Sequence, residues 1–239
     1  MRNYIILNGK NSNEINGLLI QTLPPISQPK IRVNVEEIDG RDGDIITKLG
    51  YSAYNKEISI GLYGNYDVDD VIEYFTDNQS GIVTFSNELD KYYYYEIIDQ
   101  IDFERLIRFK TATVTLHTQP FKYSTSETEQ TYEITNQTSI NITNNGNYVS
   151  KPLITITGVG TINLSLNNIQ LFVIDLGESS TKIALDITNM NAYNPTSNAL
   201  MNRSVTGDYD KFILSTGENT ISWSGTITEI KIKNYSRWI

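Results

Sequence analysis

Apolar and polar residues alternate along much of this chain with the period of two that is typical of half-buried β-strands. The segments EISIGLYG (57–64) and TATVTLHT (111–118) show it most clearly, and in the second the polar side carries threonines and His117. IVTFSN (82–87) and YYYYEIID (92–99) have the same character. We therefore predict strands at all four segments.

One segment, NYDVDDVIEYFTDNQSG, has a helical period instead. Its apolar residues recur at i, i+3, i+4 and i+7 from Val68 to Phe75, and acidic residues occupy the first turn, where they favour the helix dipole. We predict an α-helix with Asp67 as its N-cap, ending between Asn78 and Gly81. The first half of the chain therefore reads as strands, one helix, then strands.

A polar, turn-rich stretch from Lys122 to Pro152 separates two parts of different character, and we place a domain boundary there, giving domains 1–124 and 125–239. Beyond it, short alternating segments such as LITITG, TINLSLN and KIALDI recur at regular spacing without any helical period. GVGT (158–161) between the first two is interpreted as a hairpin turn. The predicted fold is mainly β: an N-terminal β-sandwich-like domain with one helix, followed by an antiparallel C-terminal β-sandwich.

Composition narrows the function classes. The 239 residues carry 28 Asp and Glu against 19 Lys and Arg, a net charge of -9, which disfavours binding to nucleic acid or anionic lipid. No cysteine is present, so disulfides, thiolate metal sites and a cysteine nucleophile are excluded. The apolar stretch Tyr4–Leu7 is too short for the core of a signal peptide, and no apolar run is long enough to span a bilayer.

The densest cluster of charged residues is DGRDGDI (39–45), which could suggest a metal loop or a carboxylate pair. The spacing fails for an EF-hand, because the twelfth position from Asp39 is Gly50, which has no ligand atom. A glycine-flanked polar loop also offers no apolar pocket to separate the pKa values of two carboxylates. We interpret the cluster as a structural turn in which Gly40 and Gly43 adopt angles closed to other residues.

Other candidates for chemistry are weak. His117 lies on the polar side of a strand, and no nucleophile-elbow pattern accompanies it, so a structural role is favoured over a catalytic triad. In KYYYYEII, Tyr92 and Tyr94 point to one side of a strand and the next two tyrosines to the other. One pair should be core, and the other is either an interface or part of an edge strand. Trp223 is expected in the core.

Four segments resemble the distal tail proteins of long, non-contractile-tailed phages that infect Gram-positive bacteria. EIDGRDGDI is similar to that family's glycine-flanked turn, and TVTLHTQPFKY is similar to the strand closing its first domain. NNGNYVSKPLITITG is similar to the segment opening its second domain. GENTISWSG with the terminal NYSRWI, which contains Arg237 and Trp238, is similar to its closing strands. The four occur in the family's order.

The resemblance implies a structural protein without catalytic activity, cofactor or metal. It implies a homo-hexameric ring at the virion tail tip, assembled in the host cytoplasm. The first domain would surround the DNA channel, and a galectin-like second domain would decorate the outside. The ring would join the major tail (tube) protein to a tail-associated lysin or fibre hub protein, with tape measure and receptor-binding proteins as further partners. The structural or interface candidates are Gly40, Arg41, Asp42, Gly43, Tyr92, Tyr94, Arg237 and Trp238.

Two consequences follow for charge. Arg41 and Asp42 are expected to pair between neighbouring subunits, since a ring repeats any such pair at every interface. Carboxylates lining the channel would repel DNA phosphates, so the genome could pass without sticking.

Two other function classes stay open. A carbohydrate-binding module would use Tyr193, Tyr209 or Trp223 of the second sandwich as stacking platforms for cell-wall sugar, although the compact second domain has no large insertion of the kind that serves as a sugar-binding module. A glycoside hydrolase would need two carboxylates at a set separation, and nothing in the linear sequence pairs them.

Overall fold

A computed structural model describes residues 2–239. The chain divides into two compact units, one running to Thr125 and the other from Ser126 to Trp238. The predicted mainly β fold is confirmed. In chain order, the strands are β1 (Ile5–Leu7), β2 (Lys10–Asn11), β3 (Leu18–Thr22), β4 (Ile31–Glu37), β5 (Asp44–Tyr51), β6 (Tyr54–Leu62), β7 (Ser80–Phe85), β8 (Lys91–Glu96), β9 (Thr111–Ser124), β10 (Gln130–Glu133), β11 (Ser139–Asn144), β12 (Leu153–Leu166), β13 (Ile169–Asp175), β14 (Thr181–Asp186), β15 (Asn191–Tyr193), β16 (Val205–Gly207), β17 (Gly217–Lys233) and β18 (Arg237–Trp238).

The first unit is built on one antiparallel sheet with the strand order β2-β1-β7-β8-β9-β6-β3. The alternation that predicted its strands places one residue in two in a buried cluster with the helix α1 (Val68–Asp77). Tyr74 of α1 is fully buried, and its hydroxyl donates to the carbonyl of Lys10 at 3.2 Å, which satisfies a polar group inside the core.

The predicted helix is confirmed, including its cap, because the Asp67 side chain accepts a hydrogen bond from the amide of Asp69 at 2.9 Å. A second helix, α2 (Phe103–Phe109), was not predicted, so the expectation of one α-helix is corrected to two. It has only seven residues, too few for a clear period. Its own local signals are Asp102, which caps the amide of Arg105, and Lys110, which ends the helix in the left-handed conformation.

The second unit is a sandwich made by two long strands that each belong to both layers. The first half of β12 pairs with β14 and with the second half of β17, which also pairs with β10. The second half of β12 pairs with β13 and with the first half of β17, which also pairs with β11. Strands β15 and β16 extend the two layers. Apolar side chains from both layers form one buried cluster.

Glycines form the corner between the layers. A Cβ on Gly158 would lie 2.5 Å from the carbonyl oxygen of Thr226, and one on Gly225 would lie 2.4 Å from that of Thr161. Only glycine allows the two backbones to approach this closely. The prediction of a hairpin turn at GVGT is therefore wrong: those residues lie inside β12, where the register shifts at a bulge and the strand changes layers.

Asn144 ends β11 and fixes the entry of the chain into this sandwich. Its side chain is 1% exposed and makes three hydrogen bonds: Nδ2 donates to the carbonyls of Tyr148 (2.9 Å) and Leu214 (3.2 Å), and Oδ1 accepts from the amide of Gly146 (2.9 Å). A buried amide with this many partners leaves several backbone groups unpaired if it is removed.

We therefore expect Asn144→Ala to lower the free energy of unfolding of the second unit by about 3 kcal/mol. The neighbouring exposed Asn145→Ala is the control and should change it by less than about 0.5 kcal/mol. Urea unfolding followed by tryptophan fluorescence measures this unit selectively, because both tryptophans of the chain, Trp223 and Trp238, lie in it. Equal midpoints for the two variants would contradict the assigned role.

Candidate assembly interface

A separate two-stranded sheet projects its side chains into solvent in the first unit. Strands β4 and β5 pair only with each other, and every residue of β4 is exposed. An isolated two-stranded hairpin is marginally stable in water, and both of its outer edges carry unpaired backbone groups. The hairpin therefore lacks the pairing strands and the covering layer that stabilise the main sheet.

One face of this hairpin is largely apolar, with Lys48 among its side chains. Val35 lies opposite Ile46, and Val33 lies opposite Lys48, so the four side chains point to the same side. Val35 is 49% exposed and Ile46 is 62% exposed. Leu49 is also exposed and has no cross-strand partner, because the register shifts by one residue at this point. Exposed apolar side chains gathered on one strand pair indicate a contact surface.

The turn of the hairpin contains four of the predicted site residues. Gly40 has φ of 82° and Gly43 has φ of 77°, so both occupy the left-handed region that favours glycine, as the sequence predicts. The amide of Arg41 donates to the carbonyl of Ile38 at 3.1 Å. Arg41 and Asp42 are exposed, and within residues 2–239 neither forms an ion pair. Pairing of the two between subunits stays a prediction.

The tyrosine-rich strand β8 divides its rings as predicted. Tyr93 and Tyr95 are each 2% exposed and belong to the core, whereas Tyr94 is exposed and Tyr92 is half-buried. On the outer side, Tyr123 of β9 stacks on Tyr92 at 5.5 Å between ring centroids and meets Tyr94 edge-on at 5.3 Å. The predicted pair is therefore part of a three-ring cluster. Its use as an interface stays a prediction.

Arg237 and Trp238 form the short strand β18. The Nε of Arg237 donates to the carbonyl of Val149, and its guanidinium lies 5.4 Å from the ring centroid of Tyr148. The preceding Ser236 is fully buried and bonds both oxygens of the Glu127 carboxylate through its amide and its hydroxyl. These contacts join the end of the second unit to its beginning. Trp238 is half-buried.

The second unit contains a polar groove of about 370 Å³ that the sequence did not indicate. Its lining consists of hydroxyl and amide side chains with Trp223, and no charged residue takes part. Asn163 is one of the lining residues: its Nδ2 donates to the Ser224 hydroxyl (3.0 Å) and its Oδ1 accepts from Gln170 (3.2 Å). Such groups match the hydroxyls of a neutral polyol.

The aromatic residues expected to stack on sugar have other roles. Trp223 is 7% exposed and belongs to the core, as predicted. The ring of Tyr209 packs against Phe172 at 4.8 Å, where burial raises the pKa of its hydroxyl. Tyr193 is half-buried in β15, opposite Ala184. Trp223 and Tyr209 therefore support the sandwich rather than present a flat ring to solvent.

His117 has a structural partner, since its Nδ1 lies 2.8 Å from Oδ1 of Asn55 on the neighbouring strand. Within residues 2–239 no group of three His, Asp or Glu side chains is arranged to hold a metal ion. Among the same residues, no helix combines the length and the apolar character needed to cross a membrane.

A buried lysine occupies an inward position of β6 that the alternation assigns to an apolar residue. Lys56 shares a face with Ile58 and Ile60 and is only 3% exposed. Its ammonium lies 4.7 Å from the ring centroid of Tyr93 and donates to the carbonyl of Pro25 at 3.3 Å. The sequence contained a signal for this burial, because Lys56 stands two residues before the first inward isoleucine of β6.

An ion pair beside Lys56 completes this polar cluster. Lys122 donates to the Glu88 carboxylate at 2.5 Å, and the hydroxyl of Tyr93 donates to the other oxygen at 3.0 Å. Desolvation lowers the pKa of Lys56 to about 8. Attraction to Glu88 opposes this decrease in pKa, and repulsion from Lys122 adds to it.

Comparison with known proteins gives a result only for structure: no protein-family model matches the chain, and no curated protein matches it. The crystal structure of Dit from phage SPP1, described as a paradigm of the hub adsorption apparatus in phages that infect Gram-positive bacteria, matches with a TM-score of 0.71. The match has 17% sequence identity and covers 98% of this chain and 99% of that chain. The chain has the Dit fold.

Two structures of the phage P2 baseplate in its activated conformation agree at lower similarity. The one with Ca has a TM-score of 0.52, 11% identity and coverage of 98% of both chains. The one with Sr has a TM-score of 0.50, 10% identity and coverage of 96% of this chain and 97% of that chain. The resemblance to distal tail proteins is thus confirmed at the level of the fold, with a coverage that extends over both units of this chain.

The buried lysine generates a stability prediction. The folded pKa of Lys56 is about 8 and its ordinary value is 10.5, so between these values the unfolded chain binds a proton that the folded chain does not. The destabilisation caused by the buried charge is therefore fully present below pH 8 and is relieved as the pH rises toward 10. Above pH 10 the buried tyrosines Tyr74, Tyr93 and Tyr95, whose pKa values are raised by desolvation, reverse the trend.

We expect Lys56→Met to be more stable than the wild type at pH 7, with the difference narrowing at pH 9.5. Thermal unfolding measured by calorimetry at both pH values tests this, and Lys10→Met, an exposed lysine on β2, is the matched control with no such pH dependence. A difference between Lys56→Met and the wild type that stays constant from pH 7 to 9.5 would overturn the prediction.

Proposed function

We propose that this protein is a structural hub of a phage tail tip, which assembles as a closed homo-hexameric ring through its first unit. The observation that carries the proposal is the exposed hairpin β4–β5, on a chain that has the Dit fold from end to end. A surface that leaves apolar side chains and two strand edges exposed in one copy is stabilised when a neighbouring copy covers it. Ring closure repeats that contact around the symmetry axis.

In this proposal the ring joins the major tail tube protein to a tail-associated lysin or fibre hub protein, with tape measure and receptor-binding proteins as further partners. DNA passes through the central channel without specific binding, and the protein has no catalytic role. The excess of carboxylates in the first unit supports passage of DNA without binding, since residues 2–125 carry 18 Asp and Glu against 12 Lys and Arg. The ring forms in the host cytoplasm and functions at the virion tail tip.

The first experiment is the mass of the purified full-length protein by light scattering, with negative-stain imaging of the main species. We expect six copies of the 27.1 kDa chain and a central hole. A protein that stays monomeric, alone and with its tail partners added, would contradict the proposal.

The hairpin variant Val35→Thr/Ile46→Thr should shift the equilibrium between monomer and ring toward the monomer. Threonine keeps the strand preference while it lowers the apolar area of the face. Leu89→Thr/Leu200→Thr removes two comparably exposed side chains elsewhere and is the control. Equal ring fractions for the two variants would show that the apolar face of the hairpin does not contribute to ring assembly.

The polar groove at Asn163 supports a second candidate, binding of a neutral cell-wall saccharide by the second unit. If so, the full-length protein binds a glycan array, and Asn163→Ala/Gln170→Ala abolishes the signal. Asn189→Ala, an exposed amide bonded to Asp186, leaves it intact. An array on which wild type and groove variant give the same signal would exclude this groove as the site.

A further inference from the structure

Three asparagines of the chain are followed directly by glycine: Asn8, Asn16 and Asn145. In such a pair the backbone nitrogen of the glycine can attack the side-chain carboxamide carbon of the asparagine, because glycine has no Cβ to hinder the approach. The reaction converts the asparagine to an acidic residue without an enzyme. It needs a carboxamide and a glycine nitrogen that are both free to move, so the structure determines which of the three pairs reacts.

The side chain of Asn8 is held by three hydrogen bonds, although the residue is exposed. Its Oδ1 accepts from the amide of Ile82 at 2.9 Å. Its Nδ2 donates to the carbonyl of Ser80 at 2.9 Å and to Oδ1 of Asn78 at 3.2 Å. The carboxamide cannot turn toward the nitrogen of Gly9 until these bonds break, so this pair is protected.

Asn145 is also exposed, but the glycine that follows it is engaged. The amide of Gly146 donates to Oδ1 of Asn144 at 2.9 Å, so the attacking nitrogen already has a partner. Gly146 also packs closely against β18, because a Cβ on it would lie 2.3 Å from the carbonyl oxygen of Arg237. The Asn144 side chain and this close packing therefore protect Asn145.

Asn16 has neither form of protection. It is exposed, and within residues 2–239 its side chain makes no hydrogen bond and the amide of Gly17 donates none. The two residues form the middle of a turn, which the amide of Leu18 closes by donating to the carbonyl of Ile15 at 3.2 Å. Gly17 has φ of 73°, as in the third residue of a type II turn. A type I turn differs mainly in the direction of the central peptide and glycine adopts both, so this peptide can turn over.

We infer that Asn16 is the site at which this protein deamidates spontaneously, ahead of Asn8 and Asn145. The nitrogen of Gly17 gives its proton to water or hydroxide and bonds to Cγ of Asn16. The Cγ–Nδ2 bond then breaks, and ammonia leaves behind a five-membered succinimide ring. Water opens this ring at either carbonyl carbon and gives aspartate or isoaspartate. No oxidant or reductant takes part, and the inference does not depend on hexamer assembly.

Both products change a turn at one end of the main sheet. Each adds a negative charge two residues from Glu14, and isoaspartate also lengthens the backbone by one atom. The carbonyl of Gly17 accepts from the amide of Tyr63 at 2.9 Å, and a Cβ on Gly17 would lie 2.4 Å from Cβ of Tyr66. A longer backbone therefore disturbs this hydrogen bond and this packing, at the start of the outermost strand β3.

Peptide mapping by mass spectrometry of the folded full-length protein, incubated at pH 8.5, measures the three sites in one sample. We expect Asn16 to deamidate more than about tenfold faster than Asn8 or Asn145, equal to about 1.4 kcal/mol in activation free energy. In urea the three pairs lose their different surroundings and should react at similar rates. Similar rates in the folded protein, or an equal lead for Asn16 in urea, would overturn the inference.

Asn16→Gln is the matched control for the effect on stability, because the longer side chain keeps the amide but closes a ring much more slowly. By calorimetry, the wild-type protein should unfold at a lower temperature after the incubation than before it. Asn16→Gln should show no such decrease. Equal decreases in the two proteins would overturn the effect assigned to Asn16.

Asn144→Ala tests the protection of Asn145. The variant frees the amide of Gly146, so deamidation at Asn145 should accelerate several-fold at a temperature where the variant stays folded. Asn8 and Asn16 lie in the first unit and should keep their rates. An unchanged rate at Asn145 would contradict the protection assigned to Asn144.

Discussion

A pair of strands has too little surface to bury its own backbone and side chains, and the hairpin β4–β5 of the first unit is such a pair. In the main sheet, each inward side chain contacts α1 or a neighbouring strand, and the core closes within one chain. The hairpin β4–β5 has no such cover, although its strands are among the longer ones of the unit. Its apolar side chains and strand edges therefore stay exposed in a single copy.

The second unit solves the same problem internally. Its two long strands bend at glycines and supply both layers, so that apolar faces meet within a single chain and few edges depend on a partner. The buried amide of Asn144 and the paired Ser236 and Glu127 hold the start and end of the unit together. The second unit therefore buries its apolar faces within one chain, whereas the hairpin of the first unit leaves its apolar side chains exposed.

Much of this could be read from the sequence, because strand alternation and helical period are local signals. The N-cap at Asp67, the inward Tyr93 and Tyr95, the core position of Trp223 and the left-handed glycines of the hairpin turn all follow from neighbouring residues. The bend at GVGT did not, because a glycine pair between two apolar runs fits a hairpin turn equally well. Only the pairing with β17 decides between them.

The site was harder to predict than the fold for a related reason. Alternation in β4 resembles that of any half-buried strand. The local sequence gives no sign that Val33 and Val35 lack a covering layer. Lys56 shows the converse, since a charged residue in an apolar register reads as exposed until Tyr93 and Glu88 are placed beside it.

Low sequence identity with a similar fold follows from the same physics. Alternation, corner glycines and a capped helix specify these units with little demand on the particular apolar residues, so identity can fall to 17% while the architecture persists. Contacts between copies are under a different constraint, because they need only match each other.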